Sequence, residues 1–413
     1  MTERHFPSLD RRQFLAAALG TAMVASMDLH AAPLLARQRK RTDWAPNSWI
    51  EVDLGVLEHN LGLVRQAVAG GAQICAIMKA DAYGVGIEFV LPTFIKAGIP
   101  YVGIAGNEEA RMARECGFKG KLMRVRAATE EEVLGALRWN LEEMVGSLAS
   151  AQSIGAIARK HRRTLKAHLM LNSAGMSRNG LELGTTQGKH DALGIVATPG
   201  LEFVGVMTHF PGEELPELLA GLENFKQESA WLFANTGLRR ADVLLHAANS
   251  FALQNAPTTH LDMVRPGGAL YGYGGTPKPP FAHVASFKTT VASVQAYRAG
   301  DRVSYDGTWT LERDSLLANL PVGYSDGYRR AHSNKADVLV RGQRARVLGN
   351  VTMNTTMADV TDIPGVQAGD EVVLFGAQGQ ERITQAEIEK ISGVVLADQY
   401  TIWGAANPKI IKR

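Results

Sequence analysis

The chain has 413 residues, 46% of them hydrophobic, which allows two domains with real cores and excludes a chain disordered by composition. Its 44 basic and 41 acidic residues leave a net charge of +3, too balanced to argue for nucleic acid or an anionic membrane surface as a partner. The two cysteines, Cys75 and Cys116, match no metal-ligand spacing; each reads as a small hydrophobe, and a bridge between them is left open.

In chain order, Arg11-Arg12 opens a twin-arginine sequence followed by an apolar run from Phe14 to Ala25, broken at Asp28. The run is too short for a permanent membrane helix and has the length of a signal-peptide core. Residues 1–36 therefore read as a Tat export signal, with several small residues between Ser26 and Ala36 as cleavage points, and the mature protein is expected in the periplasm. Residues 37–48 read as a basic, polar linker. Trp49–Leu54 alternates like a strand, one that can also pair with the carboxy-terminal domain, and leads into a helix with Leu61 and Val64 on one face.

Beyond it, apolar runs at 74–79, 101–106, 122–126, 166–171, 201–210, 243–249 and 260–267 alternate with helical patterns such as Asn107–Cys116 and Glu131–Leu137. Repeated strand–helix units with buried strands predict an α/β fold, a (β/α)8 TIM-like barrel over residues 49–282. GGTPKPP (274–280) is a breaker-rich linker. Residues 283–413 then alternate between Gly and Asp turns, with helical periodicity only at Thr384–Ile391, and predict a mostly β carboxy-terminal domain.

The chemistry concentrates at strand ends. The run Ile74–Met78 ends in Lys79 and enters a turn carrying Asp81, Tyr83 and Gly84. A lysine at the carboxyl end of a barrel strand lies where barrel enzymes react, and a desolvated amine loses its proton readily. Lys79 is thus the candidate anchor for a carbonyl cofactor. Ala248-Asn249-Ser250 and Pro266-Gly267-Gly268 end two late strands, where backbone N–H groups and a helix amino terminus favour an anion such as a phosphate.

KADAYG (79–84), with MTHFP (207–211), the Arg265-Pro-Gly267 segment and VSYDGTWT (303–310), resembles the fold-type III, pyridoxal-phosphate-dependent alanine racemase family, from about Trp49 to Pro408. The resemblance implies pyridoxal 5′-phosphate on Lys79, with its phosphate held by Tyr83, Ser250, Gly267, Gly268 and Tyr400. Arg265 would face the ring nitrogen; an arginine can only donate there, which leaves a weaker electron sink suited to removing and returning one proton. His209 would link Arg265 to the catalytic tyrosine. Racemisation needs a base on each face of the α carbon, and the resemblance names Tyr305 opposite Lys79. A phenol serves as a base near neutrality only within a polar network. Tyr305 would come from the second subunit of a head-to-tail homodimer. Met353 would help hold the substrate carboxylate, and PVGYSDGYRR (321–330) would line the route to the site with Tyr324.

One segment departs from the family. In HLMLNSAGMSRNG (168–180), Arg178 keeps its place, but Met170 stands where the family carries a lysine and one extra residue precedes Gly175. Asn172 is the nearest polar substitute, and Asn354 replaces an aspartate further on. The SRNG ending, with Asn179 beside Arg178, looks like the broad-specificity, typically periplasmic, branch. The expected activity is interconversion of L- and D-amino acids, including small and basic ones. The alternatives are an alanine-restricted racemase on the same fold and a non-catalytic pyridoxal-phosphate-binding protein, which would need neither the second domain nor Tyr305.

Overall fold

The computed structural model describes residues 45–273 and 281–412. The export signal, most of the linker after it and the breaker-rich segment 274–280 lie outside the described residues.

Eight parallel strands form one sheet: Gln73–Ile77, Tyr101–Ile104, Lys121–Arg124, Leu141–Val145, Leu165–Met170, Leu201–Met207, Leu244–His246 and Met263–Val264. They neighbour one another in chain order, and the last pairs with the first. Between the last two, Asp262 donates its N–H to the Leu245 carbonyl (3.0 Å) and Arg265 to that of Ala248 (2.9 Å), which brings the cylinder round to closure. A helix follows each strand, as predicted for a (β/α)8 barrel.

The strand at Leu141–Val145 is the one the sequence hid. Its residues are all buried, yet two of them are glutamates. Each is satisfied from the neighbouring strand: the guanidinium of fully buried Arg124 donates to Glu143 (Nε 2.7 Å, Nη2 3.2 Å), and Glu142 accepts from His168. Buried charges survive only when paired in this way. A hydrophobicity pattern cannot see the partner.

The strand Ser48–Asp53 belongs to the other sheet, antiparallel to Ala285–Thr290 and parallel to Lys409–Lys412. That ten-stranded, mostly antiparallel sheet makes the second domain. The helix at Gln385–Ser392 starts from a Thr384–Glu387 capping box. A second helix, Leu396–Ala406, escapes the sequence reading because its buried face, Leu396, Gln399, Tyr400, Trp403 and Gly404, includes a polar residue and a glycine, while apolar Ile402 lies off that face.

That helix locks the two domains at the lysine-bearing turn. A Cβ on Gly404 would collide with the Gly84 carbonyl, and one on Gly84 (φ +80°) with the Tyr400 carbonyl, so backbone packs directly on backbone. Fully buried Asn60 fixes where the chain leaves the barrel for the second domain, donating to the Leu270 and Ala282 carbonyls (3.1 and 2.8 Å) while accepting from Ala282 N–H (3.0 Å).

Candidate active site

At the carboxyl ends of the barrel strands lies a cavity of about 290 Å³. Lys79, Tyr83, Arg178, Asn179, His209, Ser250, Arg265, Gly267 and Gly268 line it. The sequence thus named nine of its wall residues. Tyr305, Tyr324, Met353, Tyr400 and Asn172 are not among them.

Lys79 opens a turn of unusual handedness: Ala80, Asp81, Ala82 and Tyr83 all have φ between 54° and 57°. Each such L-residue costs roughly 1–2 kcal/mol, so the turn needs external support. Asp81 supplies part of it, accepting from Ile87 N–H (2.8 Å) and pairing with Lys409 (3.4 Å), while its own N–H donates to Glu109 (3.3 Å). The result aims Lys79 and Tyr83 into one cavity. Partial desolvation, then the charge of Arg178, hold the lysine ammonium below its ordinary pKa, against a smaller opposing pull from Glu109.

Arg265 is 5% exposed and makes no ion pair among the described residues. Its Nη1 donates to His246 Nδ1 (2.7 Å), and Nη2 to the Thr208 and Ala247 carbonyls (2.8 and 3.2 Å) and, more loosely, to His209 Nδ1 (3.4 Å). Burial lowers its pKa to about 10, which leaves it charged at neutrality. His209 goes the other way. Burial and the cations Arg265, Arg178 and Lys79 push it down to about 3, so it is neutral and able to accept.

Behind Arg265 runs a chain the sequence reading missed. An arginine only donates, so His246 Nδ1 accepts and its proton resides on Nε2. That nitrogen donates to His168 Nδ1 (2.9 Å), and His168 donates through Nε2 to Glu142 (2.8 Å). The fully buried pair of imidazoles therefore connects the guanidinium to a carboxylate four strands away round the barrel, with every tautomer determined. Histidines inside the strands at 168 and 246 were the available signal.

Ser250 Oγ accepts from Gly267 N–H (3.1 Å) and Ala269 N–H (3.0 Å), so two backbone donors and a hydroxyl converge at the helix start. A Cβ at Gly267 would collide with the Tyr83 hydroxyl, which makes the glycine a requirement of the wall. Tyr273, not singled out in the sequence, also lines the cavity; its hydroxyl is buried and has no hydrogen-bond partner of good geometry. Tyr400 stands behind it, ring centroids 5.7 Å apart, with its hydroxyl donated to the Ala285 carbonyl (3.2 Å). Tyr273 in turn packs edge-on against Tyr83 at 5.3 Å.

Met170 is buried with Met144 and Met207, and all three face the cavity. Asn172 turns away, donating to Glu182 (2.8 Å) and accepting from Ser177 N–H (2.6 Å) to shape its loop. Asn179, with its amide oxygen toward Arg178, accepts from that guanidinium at 3.1 Å and braces it.

Tyr305, Tyr324 and Met353 stand on the second domain, 73%, 43% and 54% exposed. The segment 349–354 joins them: Asn350 Nδ2 donates to the Tyr305 carbonyl (2.9 Å), and Tyr324 N–H to that of Thr352 (3.0 Å). Ser304, with φ 63° and ψ −172°, and Asp306, with φ 62°, flank Tyr305 in backbone that costs of order 1–3 kcal/mol per residue. Cys75 and Cys116 are both free thiols, and burial pushes Cys75 up to about 12.

The cavity wall carries Lys79, Arg178 and Arg265 against one carboxylate, Glu213, and adds the Tyr273 phenol and the Ser250 hydroxyl, which two backbone amides hold at the helix start. This donor set fits a phosphate and a carboxylate together with an amine-reactive carbonyl. With the two-domain fold it defines the class: a barrel enzyme that holds a phosphorylated carbonyl cofactor on a lysine.

The chain belongs to the alanine racemase family. Residues 52–275 match the family described as alanine racemase, N-terminal domain, and residues 284–411 the alanine racemase C-terminal domain. It is similar to a broad specificity amino-acid racemase of Aeromonas hydrophila, 54% identical over 370 residues that cover 89% of this chain and 91% of that one. It is also 43% identical to a lysine racemase of Proteus mirabilis, over 88% and 89% of the two chains. Among solved structures, alanine racemase from a D-cycloserine-producing Streptomyces lavendulae superposes with a TM-score of 0.82 at 26% identity, covering 90% of this chain and 98% of that one.

Proposed function

We infer that this protein is a broad-specificity amino-acid racemase that works with pyridoxal 5′-phosphate. The observation that carries the reading is Lys79, an amine held below its usual pKa at a strand end, sharing one cavity with Arg265, Arg178 and neutral His209. The relatives favour the broad over the alanine-restricted reading, since those at 43–54% identity are named for broad specificity or for lysine. The methionines at 144, 170 and 207 agree, giving a deformable apolar wall in place of a single charged fit.

When bound, the cofactor supplies a carbonyl that condenses with amines and a conjugated ring that acidifies the substrate α proton. The chain does the rest. Lys79 holds it, and Ser250 with the Gly267–Ala269 amides and Tyr83 would receive its phosphate. Arg265, aimed by the Glu142–His168–His246 chain, has donors only and would keep the ring nitrogen without a proton. Arg178, braced by Asn179, is placed for the substrate carboxylate. Once its amine is free again, Lys79 takes or returns the α proton on one face. Tyr305 does so on the other. Each turnover removes one proton and delivers one; the base that took a proton and the base that gave one are restored by proton exchange with solvent before the next turnover in the same direction.

Tyr305 lies outside the cavity of its own chain, which supports a homodimer in which the partner's copy completes each site, with Tyr324 and Met353 on the same surface. The twin-arginine sequence and the apolar run after it support export through the Tat route to the periplasm. Incubation of the purified protein with a panel of L-amino acids, followed by loss of optical rotation, tests the activity. Lysine and arginine should racemise at rates comparable with alanine. Turnover of alanine alone would overturn the broad reading, and turnover of none would overturn the racemase.

A further inference from the structure

We propose that Asn350 is a positioning residue for Tyr305, clamping a strained turn so that the phenol is presented outward in one orientation. The proposal rests on the reading of Tyr305 as a catalytic base. Its physical basis is an outlier: an exposed aromatic flanked by two non-glycine residues in left-handed backbone, Ser304 (φ 63°) and Asp306 (φ 62°). Backbone in these regions persists only when its surroundings over-determine it, and such positions gather at functional sites.

The surroundings converge on one residue, two contacts through its side chain and one through its backbone. Asn350 Nδ2 donates both to the Tyr305 carbonyl (2.9 Å) and to the Asp306 carboxylate (3.1 Å). Its own carbonyl accepts from Ser304 Oγ at 2.6 Å. A single residue thus touches all three members of the strained turn. On the far side, Arg302 Nη2 donates to the Asp306 carbonyl (2.6 Å), and Gly307 N–H to the Ser304 carbonyl (3.2 Å), which closes the turn without fixing the direction of Tyr305. None of these contacts buries Tyr305, whose ring is left in the open. A turn held this firmly around an unburied ring contributes little to a core; it sets where the ring points.

The consequence is specific to one face of the reaction. A misplaced base of about 1 Å can cost on the order of a hundredfold in rate, and only the proton transfers through Tyr305 should suffer. Asn350→Asp keeps the size of the side chain and loses both Nδ2 donors; Asn350→Ala removes it. In holoenzyme, both variants should lower turnover by roughly ten- to a hundredfold, with KM little changed. Single-turnover deuterium uptake should fall for the enantiomer whose α proton faces Tyr305 and remain near wild type for the other.

Added to Tyr305→Phe, either change should cost nothing more, because the group being positioned is already gone. A 19F label on the ring at 305 gives a readout free of turnover: one sharp resonance in the parent protein should broaden or split in the Asn350 variants. Equal losses for both enantiomers, or a further loss on top of Tyr305→Phe, would make Asn350 merely structural and overturn the proposal. If Tyr305→Phe itself shows no enantiomer preference, the two-base reading fails first and the clamp falls with it. Thermal unfolding separates a collapsed variant from a misaligned one. The Asp variant supplies the decision should the Ala variant not fold.

Discussion

If each site takes Lys79 from one barrel and Tyr305 from the other chain, two inactive proteins should rescue each other. The structure motivates the test directly: in a single chain Tyr305 is 73% exposed and absent from the cavity wall, while Lys79 lines it. Lys79→Ala and Tyr305→Phe chains are mixed and allowed to exchange subunits. Under a two-fold axis, one site of a mixed dimer collects both lesions and the other pairs an intact lysine with an intact tyrosine. Random exchange at equal concentrations makes about half the dimers mixed, each with one good site, so about a quarter of wild-type activity returns. At a three-to-one ratio the same arithmetic gives about a fifth. Racemase activity is followed against time of mixing, and exchange is verified by mass-tagged chains. Exchange without recovery would refute the shared site, because residues from one chain cannot be reunited by mixing.

Lys79→Ala should abolish the visible absorbance of bound cofactor and its borohydride-reducible attachment while leaving the fold, since the lysine fills no core volume; persistence of a reducible attachment would remove Lys79 from the site. Glu143→Ala strands fully buried Arg124 without its carboxylate and should cost about 3–5 kcal/mol by denaturant titration; a loss below about 1 kcal/mol would show the pair to be unimportant. For His209, the unfolded residue takes a proton below about pH 6.5, whereas the folded one resists to about 3. Stability should therefore fall as pH drops through that window, by about 2 kcal/mol at pH 5 from this group, and His209→Asn should flatten the slope. An unchanged slope would mean that His209 already carries a proton when folded.

Much of the molecule was legible before any fold was known, for reasons of range. The barrel and the β domain announce themselves by local periodicity, and Lys79, Ser250 and Gly267 by standing at strand ends within segments of a few residues, while Arg265 was marked by the family resemblance of its short segment. Charge and backbone chemistry act over the same short range, so these assignments needed no partner. The strand Leu141–Val145 did need one, because its glutamates become plausible only beside Arg124 and His168. The same holds for the Glu142–His168–His246–Arg265 chain, whose members lie 26, 78 and 19 residues apart; His168 and His246 meet across the intervening strand Leu201–Met207, where a Cβ on Gly205 would collide with the His168 ring. Tertiary packing also decided between two tyrosines, placing Tyr273 at the cavity wall and Tyr400 behind it. It turned Asn172 into its own loop and set Asn350 against the Tyr305 turn. A side chain's identity is local, but the direction in which it points depends on neighbours that the linear order keeps far away.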